Sequence, residues 1–223
     1  MFFKNRKGQF FPYSDSAPRK TFPILTISLV IINVAIFIWT YFINAENFDN
    51  IVSTYGFIPI SPSILTLFTS MFLHGGIDHI FGNMWYLWIF GDNVEDRLGR
   101  IKFLLLYFGS GLFATFTQYI TDPSSSLSSI GASGAISGVL GAYILLYPKE
   151  GVLTGVGYSL IRVPAFVVIG VWFAIQFLFG TVSFLGGSGS NIAFWAHIGG
   201  FVFGLLFTFI LSRMTRKSSD QNL

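Results

Sequence analysis

Few side chains in this 223-residue sequence could do chemistry, and their spacing narrows what that chemistry is. Ser133 stands between Gly131 and Gly134, with Gly138 and Gly141 following at helical steps. The three histidines are His74, His79 and His197, and Asn83 follows His79 by one helical turn. A serine hydroxyl is a poor nucleophile until a base takes its proton, and a neutral imidazole near pH 7 suits that task. Ser133 and His197 are therefore a candidate nucleophile and base for acyl transfer. A serine at a helix N-terminus also lies beside unpaired backbone N–H groups that can hold a developing oxyanion. His79 and Asn83, sharing one helical face, can add side-chain donors. No carboxylate is placed to orient His197, so the pattern predicts a dyad rather than a Ser-His-Asp triad. Cysteine is absent, which excludes a disulfide framework, a thiol nucleophile and a Cys-ligated zinc site.

Each residue taken alone has a plainer reading. A serine in an apolar helix commonly bonds back to its own backbone. A lone His197 can serve as an interhelical hydrogen-bond partner, and His79 with Asn83 can simply tie helices together. What raises the chemical reading is convergence, and that depends on the elements carrying these residues.

Those elements are membrane spans. The chain is 52% hydrophobic with 27 Phe, and only 10% charged, against about 25% charged in an ordinary soluble domain. Apolar runs cover residues 24–43, 71–90, 103–120, 130–147, 163–180 and 192–211, several of them near the ~20 residues that cross ~30 Å of hydrocarbon. All 13 Lys and Arg fall in residues 1–20, the turn near 92–102, the connector 148–162 and the tail, and none in the other loops. The positive-inside rule then predicts six helices with both termini cytoplasmic. Residues 1–20 read as a basic cytoplasmic arm, 21–212 as the membrane domain and 213–223 as a cytoplasmic tail. The arm has no apolar core, so no cleavable signal peptide is expected. Residues 44–62 read as a loop half-submerged in the outer leaflet. The second, fourth and sixth spans run from outside to inside, which brings His74, His79, Asn83, Ser133 and His197 to similar depth in the outer half of the bilayer. Polar groups at that depth face a bundle interior or a water-filled cavity. Gly200 and Gly204 give the sixth span a small-residue face that can lie against Gly134 and Gly138.

These motifs resemble the rhomboid family of intramembrane serine proteases. Gly131-Ala132-Ser133-Gly134 is similar to the family's Gly-x-Ser-Gly, whose serine is the nucleophile. Ala196-His197 with Gly200 and Gly204 resembles the sixth-helix segment that carries the base. His74, His79 and Asn83 resemble the second-helix motif, in which the positions matching His79 and Asn83 support the oxyanion. The resemblance thus implies catalysis by Ser133 and His197, with His79, Asn83, Gly131 and His74 as oxyanion or substrate-binding residues. Glu95-Asp96-Arg97-Leu98-Gly99 resembles the turn after the second helix, with a structural role. Two positions depart from the pattern. Leu65-Thr66 stand where many members have Trp-Arg, and Ser137 stands where some have a tyrosine packed on the base.

The resemblance also implies an all-α, six-helix bundle in the cell membrane, its active site toward the extracytoplasmic side and in need of no cofactor or metal. Its partners would be single-span membrane protein substrates, unwound locally near Gly, Pro or polar residues, and the lipid bilayer. Nothing points to nucleic acid, and the sequence sets no oligomeric state. Access between the second and fifth spans, with residues 181–191 as a lid, follows from the same resemblance. The alternatives are an inactive rhomboid-like protein that binds client helices, and a transporter using its histidines as a proton relay. The chain lacks the intramembrane carboxylate pairs and internal repeat that favour a transporter. It also lacks the His-Glu-x-x-His of a metalloprotease. Three histidines could bind zinc, but that would leave Ser133 and its glycines unexplained.

Overall fold

A computed structural model describes residues 10–185 and 193–220. In chain order the elements are β1 (Phe11–Ser14), α1 (Ile24–Phe37), α2 (Phe48–Tyr55), α3 (Ile64–Thr69), α4 (Ile77–Leu98), α5 (Arg100–Thr121), α6 (Ser133–Leu146), β2 (Gly151–Val156), β3 (Ser159–Pro164), α7 (Ala165–Phe184) and α8 (Phe194–Asp220). The chain is mostly helical. Large apolar side chains such as Ile31, Trp39, Phe42, Leu105 and Phe179 face outward, while Leu87, Phe90, Val94, Leu106, Tyr107, Val139 and Tyr143 are fully enclosed. A helix set apolar on both its inner and outer faces suits a lipid solvent.

Among the described residues, four helices are long and apolar enough to cross a membrane: Ile24–Ile43, where α1 continues through a π-helical turn, and Arg100–Thr121, Ala165–Val182 and Phe194–Met214. The other two expected spans take different forms. The run at 71–90 is not one straight helix: Ile64–Phe72 and Ile77–Leu98 meet at 89°, with Gly75-Gly76 at the break. His74 therefore lies in the bend rather than on α4. The run at 130–147 yields only 14 helical residues, Ser133–Leu146. At 1.5 Å per residue that is about 21 Å, short of the ~30 Å hydrocarbon layer. Residues 44–62, expected as a loop, include the helix α2.

The all-α expectation also needs correction. β1, β2 and β3 form an antiparallel sheet in that order, which ties residues 11–14 to the connector between α6 and α7. The described part of the arm is thus anchored to the rest of the chain. Trp85 Nε1 donates to the Pro12 carbonyl at 2.8 Å, and Phe11 stacks on the Trp85 ring. Arg19 pairs with Asp92 at 2.7 Å. Asp15 accepts from Asn93 Nδ2 at 2.7 Å and from the Tyr143 hydroxyl. The boundary expected after residue 20 falls inside this contact, because the Lys20 and Thr21 N–H groups both donate to Asp96. At the other end α8 runs on to Asp220, through most of the expected tail.

The Glu95-Asp96 pair has a clear structural task. Buried Glu95 accepts the Leu25 N–H at 3.0 Å, and the Thr26 N–H and hydroxyl at 2.8 Å each. These N–H groups belong to the first turn of α1, which has no intrahelical acceptors, and a carboxylate there also complements the helix dipole. Residues 186–192 lie outside the described residues, so the expected lid loop falls largely there.

Candidate active site

Ser133 is the first residue of α6, and the chain before it is tied down on the backbone. Phe57 and Ser129 exchange two hydrogen bonds at 3.1 and 2.7 Å, Ile60 N–H donates to the Ser125 carbonyl, and Gly131 N–H donates to the Ser70 carbonyl at 2.9 Å. These bonds fix where α6 begins. Ser133 thus stands in the first turn of α6, beside leading N–H groups that have no intrahelical acceptor.

His197 sits one turn into α8, and glycines bring that helix against α6. A Cβ at Gly200 would strike the Gly134 carbonyl oxygen, and one at Gly204 would strike that of Gly138. From the α6 side, a Cβ at Gly141 would strike the Phe201 carbonyl oxygen. With backbones this close, His197 Nε2 reaches Ser133 Oγ at 2.8 Å.

His79 and Asn83 face the same corner from α4. Gly131 has φ +123°, a conformation that L side chains rarely adopt, and a Cβ there would lie 2.7 Å from His79 Nε2 and 3.6 Å from Asn83 Nδ2. The Gly75 N–H points at His79 Nδ1 over 3.4 Å. Asn83 is buried, and its Nδ2 has no hydrogen-bond partner among the described residues. A buried, unspent amide donor costs about 1–3 kcal/mol, a cost that is recovered when an anionic oxygen arrives. Ser133, His197, His79, Asn83 and Gly131 all line one cavity of about 1760 Å³.

His74 does not join them. It is fully buried, its ring packs edge-on against His79 at 5.1 Å, and it is absent from the cavity wall. Among the described residues, no three His, Asp or Glu side chains come together in a group able to hold a metal ion.

Two neighbours of His197 went unnoticed in the sequence. Gln176 Oε1 lies 2.7 Å from His197 Nδ1. One turn earlier on α7, the Trp172 ring centroid is 6.1 Å from that of His197. Gln176 is the one amide in the apolar run 163–180, a signal that a search for polar groups inside spans would have caught. Ser137 does not touch His197; its hydroxyl bonds back to the Ser133 carbonyl at 2.6 Å.

Comparison with known proteins places the chain in a family. The chain is 33% identical over 146 residues to the putative rhomboid protease YdcA of Bacillus subtilis, covering 65% of each chain. It is 34% identical over 140 residues to the rhomboid protease GluP of the same organism, 62% of this chain but 24% of that protein. Over 201 residues it is 25% identical to the chloroplastic rhomboid-like protein 11 of Arabidopsis thaliana, covering 87% and 68%. The chain thus spans about two thirds of YdcA and about a quarter of GluP. The Rhomboid domain family model matches residues 61–214, well over half of the sequence, and the chain belongs to the rhomboid family of multi-pass membrane proteins.

Proposed function

We propose that this protein is an intramembrane serine endopeptidase that cleaves transmembrane segments near the outer membrane face. The observation that carries the reading is the 2.8 Å contact between Ser133 Oγ and His197 Nε2, in a cavity that also holds unspent donors. Ser133 Oγ attacks the scissile carbonyl carbon as its proton passes to His197 Nε2. The oxyanion is held by Asn83 Nδ2, His79 and the leading N–H groups of α6. The C–N bond then breaks, Nε2 returns the proton to the leaving amine, and water hydrolyses the acyl-enzyme by the reverse roles.

The reading includes six membrane segments with both termini cytoplasmic, supported by the confinement of Lys and Arg to alternate loops. The substrate is a single-span protein. Its helix unwinds at Gly, Pro or polar residues, because a regular helix keeps its carbonyls in its own hydrogen bonds. Water reaches the site from the outer face, above the short α6.

The test is cleavage of a tagged transmembrane substrate by purified protein in liposomes, with and without chelator. Cleavage should survive chelator and vanish in both Ser133→Ala and His197→Ala. Stable binding of several substrates with no cleavage would instead make the protein a non-catalytic client binder. Loss to chelator alone would move the chemistry to a metal.

A further inference from the structure

We infer that Gln176 is a positioning residue for the base, its side-chain oxygen holding His197 in the one tautomer that can activate Ser133. The inference rests on the protease reading above and goes beyond its two-residue form.

The geometry is a chain of three groups on three helices: Gln176 Oε1 to His197 Nδ1 at 2.7 Å, then His197 Nε2 to Ser133 Oγ at 2.8 Å. A neutral imidazole has one N–H and one bare nitrogen. An amide oxygen can only accept, so Nδ1 must carry the hydrogen. Nε2 is then bare and accepts from the serine hydroxyl. In the other tautomer the Nδ1 lone pair would face the Oε1 lone pairs, while Nε2–H pointed at an oxygen that it could no longer deprotonate. A rotated amide would have the same result, because its NH₂ would donate to Nδ1 and leave the hydrogen on Nε2.

Among the described residues, no other hydrogen bond to the His197 ring sets this choice. Ser137 on α6 is turned back to the Ser133 carbonyl, and the tilted Trp172 ring, 6.1 Å away, carries an N–H donor but no acceptor. A neutral amide is also the economical orienting group at this depth. A carboxylate would carry an unpaired charge in an apolar setting while the enzyme is at rest. The carbonyl dipole still favours the imidazolium that forms when Oγ bonds to the substrate carbon and its proton moves to Nε2.

The experiment combines nitrogen NMR of ¹⁵N-histidine-labelled protein in micelles with cleavage kinetics. The His197 signals are identified by their loss in His197→Ala. Wild type should show the Nδ1–H tautomer, a measurement that does not depend on any Gln176 variant folding. Gln176→Leu should lose that preference and lower kcat about 10–100-fold with KM little changed, by analogy with removing the outer-shell partner that orients a metal-bound histidine. Gln176→Glu keeps an oxygen at Nδ1 and should restore the tautomer, with turnover above that of the leucine variant. An Nε2–H tautomer in wild type, or a folded Gln176→Leu protein with wild-type kcat, overturns the inference while cleavage lost in Ser133→Ala leaves the protease reading intact. Wild type that cleaves nothing overturns both.

Discussion

Gly200→Ala tests whether helix packing sets the catalytic distance. A Cβ at Gly200 would lie 2.9 Å from the carbonyl carbon of Gly134 and press on its oxygen. The oxygen, nearer still to the new Cβ, governs the clash, so α6 and α8 must part by at least about 1 Å at this level. Gly134 adjoins Ser133, and Gly200 is less than one turn past His197, so the displacement falls on the reacting pair. The 2.8 Å contact between them would open to about 3.8 Å or more, beyond the useful limit of a hydrogen bond. A misplacement near 1 Å costs about 100-fold in rate, and kcat should fall by that order with KM little changed. The overpacked core should lose about 1–3 kcal/mol. Kinetics on a tagged substrate, paired with thermal unfolding in the same detergent, separates the two effects. Gly170→Ala is the control. A Cβ there meets no atom within 4 Å, so this variant should match wild type in turnover. A folded Gly200→Ala protein with wild-type kcat would refute the idea that the glycine seam sets the Ser133–His197 distance.

Three further outcomes follow from other contacts. Gly131→Ala forces a side chain into φ +123° and against the His79 ring; strain of about 1–3 kcal/mol and a marked fall in kcat are expected, read by the same pair of assays. Glu95→Ala leaves the α1 N-terminus and the Thr26 hydroxyl without their acceptor and should cost about 3 kcal/mol in unfolding free energy. Glu95→Gln, which keeps one acceptor oxygen, should cost less, and equal losses would argue against the capping role. Burial is the main cause that lifts the Asp15 carboxyl from its ordinary 3.8 to about 6; the neighbouring Asp92 charge adds to it, against the Tyr143 hydrogen bond. The folded protein therefore binds that proton more tightly than the unfolded chain, and the stabilisation, complete below pH 3.8, is lost as pH rises through about 6. Asp15→Asn should remove this decline from a melting-temperature profile, and parallel profiles for the two proteins would contradict the assignment.

How far the sequence discloses this structure depends on the length scale of each signal. Long uncharged runs such as 24–43 stand out because a span needs only apolar residues in number. The pairing of α6 with α8 was also visible, since Gly134, Gly138, Gly200 and Gly204 recur at helical steps. Composition does not report where an apolar run bends or how much of it is helical, so the break at Gly75-Gly76 and the shortness of α6 were hidden. Both depend on tertiary ties, such as Gly131 N–H to the Ser70 carbonyl. The strand Phe11–Ser14 is too short to carry a readable alternation and takes its form from β2. At the candidate site, Ser133, His197, His79 and Asn83 stand out by residue type, and the fold brings them to one cavity. Gln176 was missed because a lone amide in an apolar helix has no spacing motif, and only the packing of α7 on α8 shows what it meets.

Labelling with a fluorophosphonate probe, mapped by mass spectrometry of peptides, tests the central claim most directly. The account predicts a covalent adduct on Ser133 in wild-type protein in liposomes, absent in His197→Ala and unaffected by chelator. A folded wild-type protein with no adduct at Ser133, or one labelled there equally well without His197, would contradict it.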